Sequence, residues 1–599
     1  MKTARRLTTA AMFFTALAFA TRIQAQADSA ATVDPVLKAI PDDALAFAMI
    51  NDLAKTDSSI SKLATLVQAP APSGLSMLKS MAGIQEGFDE NGSAAIALMP
   101  DKSAEGAKPF PVIYLPVTDY KKFIAAFKPD DATAETTGVT IANQAMVVGH
   151  KDSFAAFTVP DHKAQLAKVI ASTKGVDTIV GSFKPWIGKH QISIVGTPTG
   201  SKTALQAASE GLKTVRAIIA AQPNAQQTAQ VTAAFDMYQS VLAKASTEVD
   251  SFGFGLGLDE NSNLSIDSHT TLIAGGAWDT ATKGLKAAEG NRFAGVQAAP
   301  FVFAFEGIWP EQWGDAMADL TASMTASMTK ASGGEGMDEQ QQKNYADAMR
   351  SLMKGLHGMS FVMGTPKPGG SMYDGMAASM KVDDASSFLT NYRKSMDQVI
   401  DATKDLKNFP FKFSDVKKIE IDGHSGLAIS MDMSGMLANG DPATAKLMQT
   451  MFGPTGKLTT RLLVADDHTL VVAYGSEDHA KEVLAAYKNP QSSLASDPDV
   501  ATTLKLLPPH AQWVGLVSIK GYMDLIRSVL AGAIPAGGPA INLPELPAMP
   551  PIGFTAEAGT TGLDTQMILP AETLGTISKV SRHAIQQQGA PGGTIPPGQ

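Results

Sequence analysis

Short apolar runs, each followed by an amphipathic stripe, recur along this 599-residue chain. Val112 to Val117 reads as a strand. Asp119 follows as a helix N-cap, because its carboxylate can accept a hydrogen bond from an unpaired N–H. Tyr120, Phe123, Ile124 and Phe127 then fall at helical spacing. The plan returns later in the chain. Met376 to Val382 reads as a strand, Asp383 or Asp384 as the cap, and Phe388, Leu389 and Tyr392 as the apolar face. Val117-Thr118-Asp119 aligns with Val382-Asp383-Asp384 at an offset of 265.

A hairpin and a helix come next in each half. Ala145 to Val148 and Phe154 to Val159 flank a turn at His150-Lys151-Asp152, matched by Arg461 to Val464 and Leu470 to Tyr474 around Asp466-Asp467-His468. Pro160-Asp161-His162-Lys163 then opens a helix, as does Glu477-Asp478-His479-Ala480, 317 positions on. The larger offset places about fifty extra residues in the second half, mostly within 401–457. Further strand–helix pairs start at Gln191 to Val195 and at Trp513 to Val517. Each half closes on a hairpin, Phe252–Leu258 with Leu264–Thr271 and Ile552–Glu557 with Leu563–Leu569. The opening strands correspond as well, Ala44 to Ile50 with Phe301 to Phe305.

The expected fold class is therefore α+β, with two tandem related modules at 36–290 and 297–585. Each is expected to be a mainly antiparallel sheet with helices packed on one face. Residues 588–599, rich in Gly and Pro, read as a disordered tail.

The halves differ in two places that bear on function. Residues 531–551 are interrupted by Pro and Gly yet carry Leu543, Leu546 and Met549. Proline prevents a helix there. The segment reads as a loop packed on its own module or as a flap over a groove. Methionine is concentrated too, with 17 of 28 between Met317 and Met451. Trp313, Met317, Leu320, Met324 and Met328 form one helical stripe; Tyr345, Met349, Leu352, Met353 and Leu356 form another. Such stripes are ordinarily buried seams, although methionine also suits adaptable binding surfaces. Leu543, Leu546, Met549, Met317, Met324 and Met328 are accordingly the candidate partner-binding residues.

Composition narrows the classes. Lys2, Arg5 and Arg6, an apolar run from Ala10 to Ala20, and Ala25-Gln26-Ala27 make residues 1–27 a secretory signal peptide. The run is too short to span a bilayer, and no later segment is long and apolar enough. Cleavage would remove four basic residues and no acids, taking 49 basic and 58 acidic residues to 45 and 58, a net of −13. An acidic chain is a poor polyanion binder, so nucleic acid is not an expected partner. There is no cysteine, which excludes disulfides, thiol nucleophiles, thiolate metal sites and c-type haem.

No motif assigns chemistry, and no catalytic, cofactor or metal residue is expected. The Asp161-His162 and Asp478-His479 pairs resemble a carboxylate-oriented base, but capping by the aspartates is the simpler expectation. Gly423-His424-Ser425-Gly426 lacks the final glycine of a nucleophile elbow, since Leu427 follows. Ser59-Ile60-Ser61-Lys62 and Ser327-Met328-Thr329-Lys330 match SxxK without its companion motifs. Asp259, Asn261 and Asn263 begin like a calcium loop, but Leu264 and Thr270 occupy positions that need Gly and Glu. Gly253, Gly255 and Gly257 alternate within a strand and form no phosphate loop.

Pro41-Asp42-Asp43-Ala44, the strand Leu45 to Asn51 leading into a helix, and Gly87-Phe88-Asp89-Glu90-Asn91-Gly92 before a strand resemble large exported bacterial proteins of unknown function. That resemblance carries no activity and no functional residue. The expectation is an exported, periplasmic or extracellular, non-enzymatic protein that binds a protein partner or an apolar ligand. The alternative is a hydrolase whose site is assembled from distant residues, and a third reading is a structural envelope component.

Overall fold

The computed structural model describes residues 30–69, 72–103, 108–220, 235, 238–239, 241–288, 292–293, 295–309, 318, 321–322, 338–365, 371, 373–403, 412–432, 453, 456–533, 544–559 and 562–589. These divide into two compact units. One is drawn from Met1–Ala208, Ala243–Asp279 and Gly559–Gln599, the other from Ser209–Leu242 and Thr280–Ala558. The chain is a mixed α+β protein with extensive antiparallel pairing.

The first unit contains β1 (Ala46–Ile50), β2 (Ala94–Met99), β3 (Phe110–Pro116), β4 (Thr136–Ile141), β5 (Gln144–Lys151), β6 (Phe154–Thr158), β7 (Ile192–Gly196), β8 (Val249–Leu258), β9 (Leu264–Leu272) and β19 (Gly562–Leu569). They pair antiparallel in the order β4-β5-β6-β3-β2-β1-β7-β8-β9-β19. Its helices include α1 (Ala30–Ala39), α2 (Leu53–Leu66), α3 (Gly74–Ala82), α4 (Tyr120–Ala125), α5 (Lys163–Ala171), α6 (Phe183–Ile187), the start of α7 (Pro198–Ala220) and α13 (Ala571–Gly589).

The expectation that helices cover one sheet face is corrected here. Two apolar clusters lie on opposite faces of the same strands. Phe47, Ala97, Val112 and Ala156 pack with Leu37 of α1, Leu166 of α5 and Trp186 of α6. Ile50, Ala94, Leu115, Ala155 and Phe157 pack with Leu53 of α2 and Phe123 and Ile124 of α4. Cover on both sides explains why Phe154–Thr158 is buried at every position. Such a strand reads as a continuous apolar run rather than an alternation.

In the second unit, β10 (Phe301–Ile308), β11 (Leu356–Gly364), β12 (Met376–Val382), β13 (Lys412–Ile421), β14 (His424–Asp432), β15 (Lys457–Asp466), β16 (Thr469–Tyr474), β17 (Trp513–Val517) and β18 (Ile552–Ala558) pair in the order β13-β14-β15-β16-β12-β11-β10-β17-β18. The helices are α8 (Glu339–Met353), α9 (Ala385–Thr403), α10 (Glu477–Lys488), α11 (Pro498–Leu504) and α12 (Ile519–Ala533). Tyr345 and Leu352 of α8 and Met396 and Val399 of α9 form a core with Ala378, Leu462 and Val472, and Met349, Met359 and Phe361 pack against it. This part of the methionine-rich region is a buried seam.

Local contacts explain the turns. Asp119 accepts from the Lys122 amide and Asp384 from the Ser387 amide, so both cap their helices. Asp259 accepts from the amides of Asn261 and Asn263, closing the β8–β9 turn as an Asx turn. Asp422 and Gly423 both have positive φ in the β13–β14 turn, which makes Gly423-His424-Ser425-Gly426 a hairpin. Ala142 and Asn143 do the same between β4 and β5.

Candidate functional site

The densest grouping of chemistry-bearing side chains in the first unit lies where α6 meets β8, β9 and β19. It begins with glycine. On β8, Gly253 faces Phe183 and Trp186, and a Cβ there would lie 2.8 Å from the Phe183 ring. A Cβ on Gly255 would lie 2.6 Å from the His190 ring. The alternating glycines thus strip one face of the strand so that the rings of the α6 region can lie on bare backbone. Directly across the ladder from these two glycines stand His269 and Asp267 of β9.

Each of those residues has a partner from far along the chain. His190 Nε2 lies 2.7 Å from Asp267 Oδ2, and its Nδ1 lies 2.8 Å from the Trp186 carbonyl oxygen. The Ser265 hydroxyl donates to the same carboxylate oxygen at 2.8 Å. His269 Nδ1 lies 2.7 Å from Asp564 Oδ1, its register partner on β19. The other ring nitrogen, Nε2, lies 3.4 Å from the Ser182 hydroxyl oxygen. Phe183 meets the His269 ring edge-to-face at 4.6 Å, and Trp186 packs on His190 at 4.4 Å. Both histidines and Asp267 are buried, Ser182 is half-buried, and the Asp564 side chain is 50% exposed.

Ser182 precedes α6 but makes no side-chain capping hydrogen bond. The His269 imidazole bridges the Ser182 hydroxyl and the Asp564 carboxylate, one at each ring nitrogen. Asp267 Oδ1 is buried without a hydrogen-bond partner. Among the described residues, no group of three or more His, Asp or Glu side chains has the geometry to hold a metal ion.

The opposite side of β2, β1, β7 and β8 is apolar, and among the described residues part of it is exposed, between the α2 and α4 cover at Ile50 and Ala94 and Ser201 of α7 against Gly196. Ile96, Ala48, Ile194 and Phe254 form one cross-strand row over β2, β1, β7 and β8; Leu98, Ala46, Gly196 and Phe252 form the next. Leu98 is 40% exposed, Ile194 51% and Phe254 53%. Ala48 of β1 lies between Ile96 of β2 and Ile194 of β7, and Ala46 between Leu98 and Gly196, so small residues floor a shallow apolar trough along β1. Toward the β8–β9 turn the face closes, where Leu258 is buried with Leu63 of α2 and Leu574 of α13.

The residues singled out in the sequence fall elsewhere. Leu546 and Met549 are buried in the second unit, where Arg527 donates to the Pro544 carbonyl and Thr503 to that of Pro551. Leu543, Met317, Met324 and Met328 lie outside the described residues, as do residues 1–27. Neither Asp161 nor Asp478 is the N-cap residue of the α-helix it precedes or opens. His162 occupies the N-cap of α5 without a side-chain bond, and Ser476 caps α10. His162 stacks on Phe110 of β3, and His479 Nε2 lies 3.0 Å from the Met376 carbonyl of β12. The pairs join a helix start to a neighbouring strand.

A hollow of about 380 Å³ is lined by Asp42, Asp43, Asp101, Lys102 and Gln165, and Asp101 Oδ2 lies 3.8 Å from His162 Nδ1. The hydroxyl and backbone N–H of Ser103 hold the Asp101 carboxyl below its ordinary range. Ser59 of the first SxxK sequence donates to the Lys55 carbonyl inside α2 and is buried, while Lys62 is exposed.

Sequence order hid the α6–β9–β19 grouping because its contacting pairs His190–Asp267, Ser182–His269 and His269–Asp564 are 77, 87 and 295 positions apart. The glycine alternation on β8 was the one local trace. Comparisons with protein-family models, curated proteins and solved structures find no match to this chain.

Proposed function

We propose that this is an exported binding protein, built from two related copies of one α+β plan, in which the exposed apolar part of a sheet face takes an apolar ligand. The observation that carries the binding reading is the trough along β1, flanked by Leu98 of β2 and Ile194 of β7, with Phe254 of β8 beside Ile194, at 40–53% exposure. Contiguous exposed apolar surface is costly in water and marks interaction sites. A narrow floor of small residues bordered by Ile96, Leu98 and Ile194 fits a slender acyl chain better than a globular partner. The basic and apolar N-terminal segment supports export, as does the resemblance to exported proteins.

The duplication is supported by parallel details. The order β5-β6-β3-β2-β1-β7-β8 has the same connectivity as β15-β16-β12-β11-β10-β17-β18. Gln191 accepts from the Leu258 amide, and Gln512 from the Ala558 amide. Thr197 accepts from the Gly200 amide, and Ser518 from the Gly521 amide. Gly253 underlies Phe183 of α6, and Gly553 underlies Thr503 of α11. The His190–Asp267 and His269–Asp564 pairs stand outside these parallels.

The test is fluorescence titration of the mature protein with cis-parinaric acid, beside the Ile194→Ser/Phe254→Ser double variant. Both positions are exposed, so the variant folds. The expected result is saturable enhancement in the parent and at least a tenfold weaker Kd in the variant, the loss of about 1.4 kcal/mol or more. Equal titration curves, or no enhancement in the parent, would remove the proposal.

A further inference from the structure

We infer that Ser182, His269 and Asp564 form a serine esterase centre, on the face of β8, β9 and β19 opposite the apolar trough. The inference rests on geometry independent of the binding reading. A serine nucleophile needs a neighbouring base, and the base needs a group that fixes its tautomer and orientation. Here Asp564 Oδ1 is 2.7 Å from Nδ1 of His269, and the Ser182 hydroxyl oxygen is 3.4 Å from Nε2 of the same ring. Hydrogen bonds of this kind are often long without substrate and shorten when it binds.

The surroundings favour that alignment. His269 is buried and held edge-to-face by Phe183 at 4.6 Å, with Trp186 at 6.1 Å, so its ring is locked between β9 and α6. Gly253, across the ladder from His269, leaves the space those rings occupy. Asp564 is the direct register partner of His269, which sets their side chains on one face. Ser182 is half-buried, and its hydroxyl has no capping duty. The nucleophile is thus accessible and the base shielded.

The reaction is acyl transfer from a carboxylic ester to water. The Ser182 hydroxyl oxygen bonds to the ester carbonyl carbon while its proton passes to His269 Nε2. Asp564 accepts the Nδ1–H bond and stabilises the imidazolium. The carbon–oxygen bond to the alcohol breaks, and the alcohol leaves with the proton from Nε2. Water then attacks the acyl-serine, giving its proton to Nε2. The carbon–Oγ bond breaks, the proton returns to Ser182, and the carboxylic acid departs. Ser182 and His269 are the catalytic residues, and Asp564 is a positioning residue.

The test uses the full mature chain with p-nitrophenyl acetate and a fluorophosphonate probe. The expected result is a fluorophosphonate adduct at Ser182 by peptide mass spectrometry and hydrolysis that Ser182→Ala abolishes. Asp564→Asn should lower kcat by about 10²–10⁴-fold. It should also move the acid limb of the pH–rate profile, which the general base sets, whereas Asp564→Glu restores part of the rate. Ser182→Ala removes one half-buried hydroxyl and keeps the fold, so its result is readable even where His269 variants fail to fold. An unlabelled Ser182, or hydrolysis by Ser182→Ala equal to the parent, overturns the inference and leaves the apolar-ligand reading untouched. Loss of cis-parinaric acid binding with Ser182 labelling intact does the reverse.

Discussion

At the scale of single residues, the tightest constraints are two glycines. A Cβ on Gly200 would lie 1.6 Å from the Leu45 carbonyl oxygen, and one on Gly521 would lie 1.8 Å from that of Phe301. Each sits in the first turn of the helix that leaves β7 or β17, where the helix backbone presses on the segment entering β1 or β10. Neither flexible side chain nor solvent can yield there, because the obstacle is main chain. Gly200→Ala and Gly521→Ala should each destabilise by about 3 kcal/mol, read by chemical denaturation. Gly211→Ala on α7 is the control, since nothing lies within 4 Å of its Cβ position. Removing glycine from an open helix interior should stabilise by about 0.5–1 kcal/mol. If Gly521→Ala behaved like Gly211→Ala, the close approach would be wrong. The buried glutamines make a second test. Gln512→Ala would strand the Ala558 amide, which Gln512 accepts at 2.8 Å. The expected cost is about 1–3 kcal/mol for an unpaired buried donor. Neither constraint could be read from the sequence, because the Leu45 carbonyl lies 155 positions before Gly200 and a threonine or serine three residues before a glycine is common.

At the scale of elements, legibility followed the range of the interaction. Caps are local: Asp119 before α4 was readable from position alone, and position narrowed the α9 cap to Asp383 or Asp384, of which Asp384 accepts from the Ser387 amide. Asp384 makes the consequence measurable. The Ser387 backbone N–H, and then its hydroxyl, hold the carboxyl below its ordinary value of 3.8. A folded-state pKa below the unfolded one contributes stability that is present above about pH 3.8 and lost as pH falls through the folded pKa. Asp384→Asn keeps the capping oxygen without the titration. Its stability should therefore fall less steeply than the parent's between pH 4 and pH 2, by circular dichroism at fixed denaturant. Parallel curves would show that the cap carries no linkage. Where the capping group competed with neighbours, position alone misled: Ser476, not Asp478, caps α10, because the residue before the first turn has the extended backbone a cap requires. Faces were less legible still. Ala155 and Ala156 look alike in sequence, yet one belongs to the Phe123 cluster and the other to the Trp186 cluster. The strand β4, with its Ala142-Asn143 turn, carries so polar a pattern that only its pairing with β5 identifies it.

At the scale of the whole molecule, the late segment that completes the first unit has the largest consequence. β9 pairs with β19 over eight register positions, from Leu264 with Leu569 to Thr271 with Gly562. Asn263 accepts from the Ala571 amide at 2.9 Å, and Ser578 of α13 donates to the Val67 carbonyl at 2.7 Å. Leu574 packs with Leu63, Leu258 and Leu264. The candidate centre depends on this closure, since Asp564 arrives only with β19. Contacts of such sequence separation form late, because the intervening loop entropy must be met first. Until then β9 is an open edge with unpaired backbone groups, a template for association with another chain. Ending the chain after Ala558 should therefore leave β1, β2 and β3 protected while the β9 amides that face β19 exchange faster by about 10²-fold or more, the signature of a lost ladder rather than global unfolding. Hydrogen–deuterium exchange resolved by peptide measures this directly, and adding the 559–599 peptide in trans should restore protection. Unchanged exchange over Leu264–Leu272 would mean that the terminal strand does not close the first unit in solution, and the alignment of Asp564 with His269 would fall with it.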